Sequence, residues 1–182
     1  MVTALDTRII LGLRAALPGV TLPMQALSWT ATGGGAVPAA IIIGVLLGRL
    51  TSKRQGWFYV VTCLAGWGAN LVLKEFLHRV RPQDVSPRLT AAGWYSYPSG
   101  HAMMAILVFG FGAWLLAPSV ASRGWRAVLL VVAALLTIGV GISRIYLGAH
   151  WPSDVLGAWL AGAAWAALCL RWEERRAPKS AA

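Results

Sequence analysis

The sequence predicts an all-α fold: an integral-membrane helical bundle of about five transmembrane helices, preceded by an N-terminal amphipathic interfacial helix. Three observations point there. Of 182 residues, 58 % are hydrophobic and only 12 % are charged. The apolar residues form long runs instead of one-sided stripes, and runs near the ~20 residues that a bilayer core requires mark membrane spans. Finally, Trp57, Trp125, Trp151 and Trp172 stand at the edges of those runs, where amphipathic indole rings anchor a helix at the interface.

Taken in order, residues 5–32 come first. Leu5, Ile9, Leu13, Ala16 and Leu17 form a helical stripe broken by Pro18, the pattern of a helix lying on the membrane; a segment that dips into the bilayer without crossing is the alternative. Asp6, Arg8, Arg14, Pro18 and Pro23 interrupt this stretch, so it lacks the clean apolar core of a cleavable signal peptide. The first span covers Ala36 to Leu50, with room to extend back through the glycines at 33–35. The second runs from Gly56 to Phe76, the third from His101 to Ala117, the fourth from Ala127 to Ile145 and the fifth from Trp151 to Trp172. The expected division is therefore an interfacial segment 1–35, a transmembrane core 36–172 and a basic cytoplasmic tail 173–182.

Charge placement narrows the possibilities. The net charge is +10, but the basic residues form short clusters between apolar runs and no continuous stripe, which argues against nucleic acid as a partner. Cys63 and Cys169 lie inside apolar runs, far from any CxxC spacing. They read as small buried hydrophobes, and cysteines and histidines are too few for a structural zinc site. Arg49, Lys53 and Arg54 lie between spans one and two, Arg123 and Arg126 between three and four, and Arg171, Arg175, Arg176 and Lys179 in the tail. With five spans these regions share one side, which the positive-inside rule assigns to the cytoplasm, as for a multi-pass plasma-membrane protein. Lys74, Arg79, Arg81, Arg88 and Arg144 then fall on the outer side, against the rule, and need a reason to be there.

Three clusters on that outer side carry the chemistry. Lys74 and Arg81-Pro82 end span two. Seven residues of helix turn through about 700°, which would put Lys74 and Arg81 on one face, a point charge beside a planar fork, suited to a phosphate. His78, one turn after Lys74, would face the same way and reads as an interfacial histidine. Pro98-Ser99-Gly100-His101 opens span three: Ser99 can donate a hydrogen bond, Gly100 lets an anion approach helix N-terminal N–H groups, and His101 can supply a proton. Ser143-Arg144, His150 and Asp154 close the set. With Pro152 in a first helical turn, His150 and Asp154 would be four residues apart on one helix face, where a carboxylate orients an imidazole and supports it as a nucleophile. Each cluster also has a plainer reading: snorkelling cations, a serine cap, a capped helix start.

Together, K-x6-R-P, P-S-G-H and S-R-x5-H-x3-D are far more specific than their parts, and on this pattern the chain resembles the type 2 phosphatidic acid phosphatase superfamily over about Ala36 to Trp172. That superfamily includes lipid phosphatases and soluble vanadium haloperoxidases. The resemblance implies that His150 is a nucleophile forming a phosphohistidine, oriented by Asp154, and that His101 protonates the leaving oxygen. Lys74, Arg81, Ser99, Gly100 and Arg144 would hold the phosphoryl oxygens, with no metal and no cofactor. Membrane members usually have six spans; here residues 5–32 stand where the additional one would be.

The function expected on this basis is hydrolysis of a lipid phosphate or diphosphate on the outer face of the membrane. A polyprenyl diphosphate such as undecaprenyl diphosphate ranks first, phosphatidic acid and phosphatidylglycerol phosphate next, because the signature reads only the phosphate. The rivals are a lipid phosphotransferase using the same site, a haloperoxidase, which five apolar spans oppose, and a non-enzymatic anion-binding membrane protein. Partners are the lipid substrate and membrane lipids; the sequence sets no oligomeric state. The loop from Gln83 to Tyr97, expected to flank the pocket, gives no discrimination between lipids.

Overall fold

The structure, a computed structural model, describes residues 4–83 and 95–176. Asp84, Arg88, most of the loop expected beside the pocket, and Lys179 lie outside the described residues. The helices are α1 (Ala4–Ala16), α2 (Thr21–Trp29), α3 (Gly33–Leu50), α4 (Lys53–Leu77), α5 (Gly100–Ser119), α6 (Arg123–Tyr146) and α7 (Pro152–Arg176). Five of them, α3 to α7, are long and apolar enough to cross a bilayer. Serine caps start three of them: Ser52 Oγ accepts from Gln55 N, Ser99 Oγ from Ala102 N and Ser122 Oγ from Trp125 N. Each satisfies a backbone donor that the helix itself leaves open.

The third span is the centre of the bundle. More than half of α5 (56 %) is buried, against 22–39 % for the other four spans. Its middle widens into a π-helical stretch, Ile106–Phe111. Widening disturbs the regular carbonyl pairing, and in hydrocarbon no water makes up the loss. Neighbouring helices provide partners: Tyr59 Oη donates to Val108 O at 2.9 Å, Cys63 Sγ contacts Leu107 O at 3.7 Å, and Thr137 Oγ1 lies 3.3 Å from Ala105 O. Cys63 is thus a buried weak donor in the core, as its apolar setting suggested.

Helices α3 and α4 pack backbone to backbone. A Cβ on Gly56 would lie 2.4 Å from the Gly44 carbonyl oxygen, so no larger residue fits there without parting the helices. Small residues at such crossings are how membrane helices associate when lipid is as apolar as leucine. The outward faces remain apolar: Trp57, Trp67, Leu135 and Leu160 are all more than half exposed, a surface suited to lipid and costly in water.

The N-terminal stretch forms two helices bent by 118° at the break after Ala16, so the described residues hold six candidate spans only if this bent pair counts as one. Gly19 turns the corner with φ 76°, a conformation open to glycine without steric cost. Leu5, Ile9 and Leu11 point outward, whereas Ile10 is buried against Trp151 and Ile145. Arg14 Nε donates to Tyr146 O at 2.8 Å. The pair is therefore fastened over the turn between α6 and α7.

Candidate active site

The turn from Leu147 to Trp151 follows directly from its residues. Gly148 takes φ 69°, and the N–H groups of Ala149 and His150 both donate to Arg144 O, at 3.1 and 3.3 Å. Pro152 disfavours helical backbone at Trp151, so α7 begins at the proline and His150 lies ahead of it. The expected shared helix face is corrected on this point, since His150 sits in the turn and not on the helix. The two side chains still meet, with Nδ1 of His150 3.5 Å from Asp154 Oδ2.

That separation is long for a hydrogen bond, and the reason is visible at Oδ2. It already accepts from Trp151 N at 2.8 Å and from the Ser96 hydroxyl. The first of these is half of a capping box, with the carboxylate in the first turn bonding back to the residue that precedes the helix. The plain capping role and the charged contact to His150 therefore coexist in one side chain. On the other side of the ring, Arg81 Nη1 lies 3.1 Å from Nε2. A guanidinium only donates, so Nε2 presents its lone pair and the ring proton sits on Nδ1, towards Asp154. Burial holds the His150 imidazole well below its ordinary pKa, with the Asp154 contact opposing that shift. Burial and the Arg81 donor on Nε2 thus both favour the neutral ring.

Lys74 and Arg81 do not share a helix. α4 ends at Leu77, and His78 adopts the left-handed conformation (φ 43°) that terminates it. The predicted seven-residue face is corrected accordingly: Arg81 belongs to the extended segment beyond the cap. His78 packs edge-on against Tyr95, with ring centroids 4.5 Å apart. Lys74 Nζ donates to Tyr95 O at 3.1 Å, and Arg81 Nη1 donates to Ala149 O at 2.6 Å. Both cations nonetheless line the same cavity, Lys74 from the last turn of α4 and Arg81 from the segment beyond the His78 cap.

At the start of α5, Ser99 is the cap residue and Gly100 the first helical one. The hydroxyl of Ser99 therefore accepts from Ala102 N, while its backbone N–H donates to Asp154 O at 3.2 Å. A Cβ on Gly100 would lie 3.1 Å from Asn70 Oδ1, so the glycine keeps the helix opening close to α4. Arg144 is 4 % exposed, and its Nη1 donates to Ser28 Oγ on α2 at 2.6 Å.

All three clusters converge. Lys74, Arg81, Gly100, His101, Arg144 and His150 border one cavity of about 400 Å³. Asp154 stands behind His150, and Ser99 behind Gly100. The far side of the cavity is apolar, formed by Val37 of α3 and by Leu64, Trp67 and Leu71 of α4. Such a space can hold a small polyanion among three fixed cations while an attached apolar group leaves along α3 and α4. Sequence reasoning missed Asp6, Ser28, Ser96 and Ser153, and counted Arg79 only as an outer-side charge. Arg79 donates to Asp154 Oδ1 at 2.6 Å, to Ser153 Oγ at 2.9 Å and to Asp6 Oδ2 at 3.1 Å. These partners lie 73 to 75 residues from Arg79 in sequence, and no local spacing signals such pairs.

An all-helical membrane bundle with a histidine facing a cationic cavity and an aspartate behind it defines the class of protein. The chain belongs to the PAP2 superfamily, whose model matches residues 55–178. It is similar to phosphatidylglycerophosphatase B of Bacillus subtilis, 37 % identical over 129 residues covering 69 % of this chain and 62 % of that protein. It is also similar to an undecaprenyl-diphosphatase of Sulfolobus acidocaldarius, 33 % identical over 68 % of this chain and 47 % of that protein. A putative undecaprenyl-diphosphatase of Escherichia coli is 42 % identical over 69 % of this chain and 61 % of its own length. The match thus spans only about half to three-fifths of these relatives. Among solved structures, a transmembrane PAP2-type phosphatidylglycerolphosphate phosphatase from Bacillus subtilis superposes with a TM-score of 0.84 at 26 % identity, covering 97 % of this chain and 88 % of that one. LpxE of Aquifex aeolicus shares the fold, with a TM-score of 0.72 at 23 % identity, 94 % of this chain and 99 % of that one being covered.

Proposed function

We propose that this protein is an integral-membrane lipid phosphatase that hydrolyses a lipid phosphate or diphosphate through a phosphohistidine. Polyprenyl diphosphates rank first as substrates, phosphatidic acid and phosphatidylglycerol phosphate next. The observation that carries the reading is the two-sided cavity: Lys74, Arg81 and Arg144 gather around His150, and an apolar wall of α3 and α4 continues from them. Relatives named for different lipids agree with a site that reads phosphate on an apolar anchor.

In this mechanism the Nε2 lone pair of His150 attacks phosphorus as the bond to the leaving oxygen breaks. His101, facing the same cavity, gives that oxygen its proton. Asp154 stabilises the imidazolium that results. Water then attacks the phosphohistidine, its proton passing to His101, and the P–N bond breaks to release phosphate. Arg81, Lys74 and Arg144, with the N–H of Gly100, hold the equatorial oxygens and balance developing charge, and Ser99 caps the helix that presents that N–H. The basic loops Arg49–Arg54 and Arg123–Arg126 lie at the opposite ends of the spans from this site, which supports an outer-face site and a cytoplasmic C-terminus under the positive-inside rule.

Phosphate release by the purified protein in detergent, across a panel of lipid phosphates and with EDTA present, tests the reading. Release is expected to persist in EDTA and to be greatest with a polyprenyl diphosphate. Loss of all release on adding EDTA would sink the metal-free phosphohistidine route.

A further inference from the structure

Arg79 does not border the cavity, yet it is the hub of a buried charge cluster behind His150. Its side chain is 16 % exposed, while those of its two carboxylate partners, Asp6 and Asp154, are 5 % and 0 % exposed. Asp6 comes from α1, outside the five spans. It is held by the first turn of α7, accepting from Ser153 N at 3.2 Å and lying 2.8 and 2.9 Å from Ser153 Oγ. One guanidinium thus joins the N-terminal helix to the carboxylate that faces His150.

We propose that Arg79 is a positioning residue for the reaction at His150, and that Asp6 of α1 holds it in place; this rests on the phosphatase reading above. A carboxylate rotates easily about its Cβ–Cγ bond, so its aim depends on what grips both oxygens. Arg79 grips Oδ1 with a short charge-assisted bond, leaving Oδ2 aimed at Nδ1 of the imidazole. Asp6 has a second effect: it shares the Arg79 guanidinium with Asp154, so Arg79 is held from both sides and its aim at Oδ1 is fixed. Removing either partner leaves a buried charge uncompensated.

The test measures kcat and KM for phosphate release by Asp6→Asn, Arg79→Gln, Arg79→Lys and the Asp6→Asn/Arg79→Gln double variant, on whichever panel lipid the wild type hydrolyses. Elution profile and melting temperature are followed in parallel. Residues that orient a reacting group through one intermediary typically cost about ten- to hundredfold in activity when removed, and that range is expected in kcat for Arg79→Gln, with a smaller fall for Asp6→Asn. KM should stay within about twofold, because neither residue meets the phosphate. Arg79→Lys should recover part of the rate, and the double variant should be no slower than Arg79→Gln alone, since the two residues act in series. Should Arg79→Gln fail to fold, Asp6→Asn and Arg79→Lys carry the same comparison. A raised KM at unchanged kcat would make Arg79 a phosphate ligand and overturn the proposal, as would kcat values equal to the wild type. Fully additive losses would reduce Asp6 to a fastener of α1 and overturn its part. A wild type that releases no phosphate from any lipid overturns the phosphatase reading and this inference together.

Discussion

At the end of the bundle where α4 and α6 finish and α5 and α7 begin, Arg81 and Arg144 are 9 % and 4 % exposed, and each donates to a partner 2.6 Å away. At the opposite end, Arg54 pairs with Glu173 at 2.7 Å, but 53 % of its side chain is exposed. The same residue type at similar distances does different work. The exposed pair trades one solvated arrangement for another, and such pairs contribute about 0–1 kcal/mol. The buried arginines have given up water for fixed protein acceptors, so they keep their charge aimed at a cavity. The comparison teaches that burial and a defined acceptor, and not ion-pair distance, separate the site from the rest of the basic surface.

The largest effect that could break this contrast is at the centre of the buried end. His150→Ala is expected to lower kcat by about a thousandfold or more while the protein still elutes as a folded species, as loss of the proposed nucleophile requires; retained phosphate release would overturn the phosphohistidine route. Next in size is Arg144→Lys, which keeps the charge but not the planar fork that reaches Ser28. A loss of about ten- to hundredfold in kcat/KM is expected, and wild-type kinetics would show that charge alone suffices there.

At the opposite end, Gly56→Leu should act on stability instead. Parting α3 from α4 is expected to cost about 1–3 kcal/mol, read as a lower melting temperature in detergent with kcat per folded molecule unchanged.

The pH dependence sharpens the same distinction. The His150 pKa is depressed by burial, so below the ordinary histidine value the unfolded chain binds a proton that the folded one does not. Stability from this group is complete above that ordinary value and declines as pH falls towards the depressed one. Melting temperature should therefore drop on acidification from neutral pH, and the drop should shrink in His150→Ala. The smallest effect is expected for Arg54→Gln, whose melting temperature should stay within about one to two degrees of the wild type, as befits an exposed pair.

Much of this was legible in the sequence for a physical reason. Spans follow from apolar runs, and caps from a serine before a helix. The residues K-x6-R-P, P-S-G-H and S-R-x5-H-x3-D are local patterns whose order along alternating spans places them at one end. Local geometry was less secure. The helix face assumed for Lys74 and Arg81 gave way to the left-handed cap at His78, and Pro152 put His150 outside α7. Arg79 shows the limit best: beside Arg81 in sequence, it turns away from the cavity because Asp6 and Asp154 wait on the other side.

By itself the sequence determined an all-helical membrane bundle and the residue types gathered at one end of it, since hydropathy and short-range spacing act along the chain. The tertiary structure alone decided which cations face the cavity, why Asp154 holds its aim, and that the bent pair α1–α2 supplies Asp6 and Ser28 to groups behind it. Those contacts join residues 73 to 147 positions apart. They exist because burial in a low-dielectric interior forces each polar group to find a partner, wherever in the chain that partner lies.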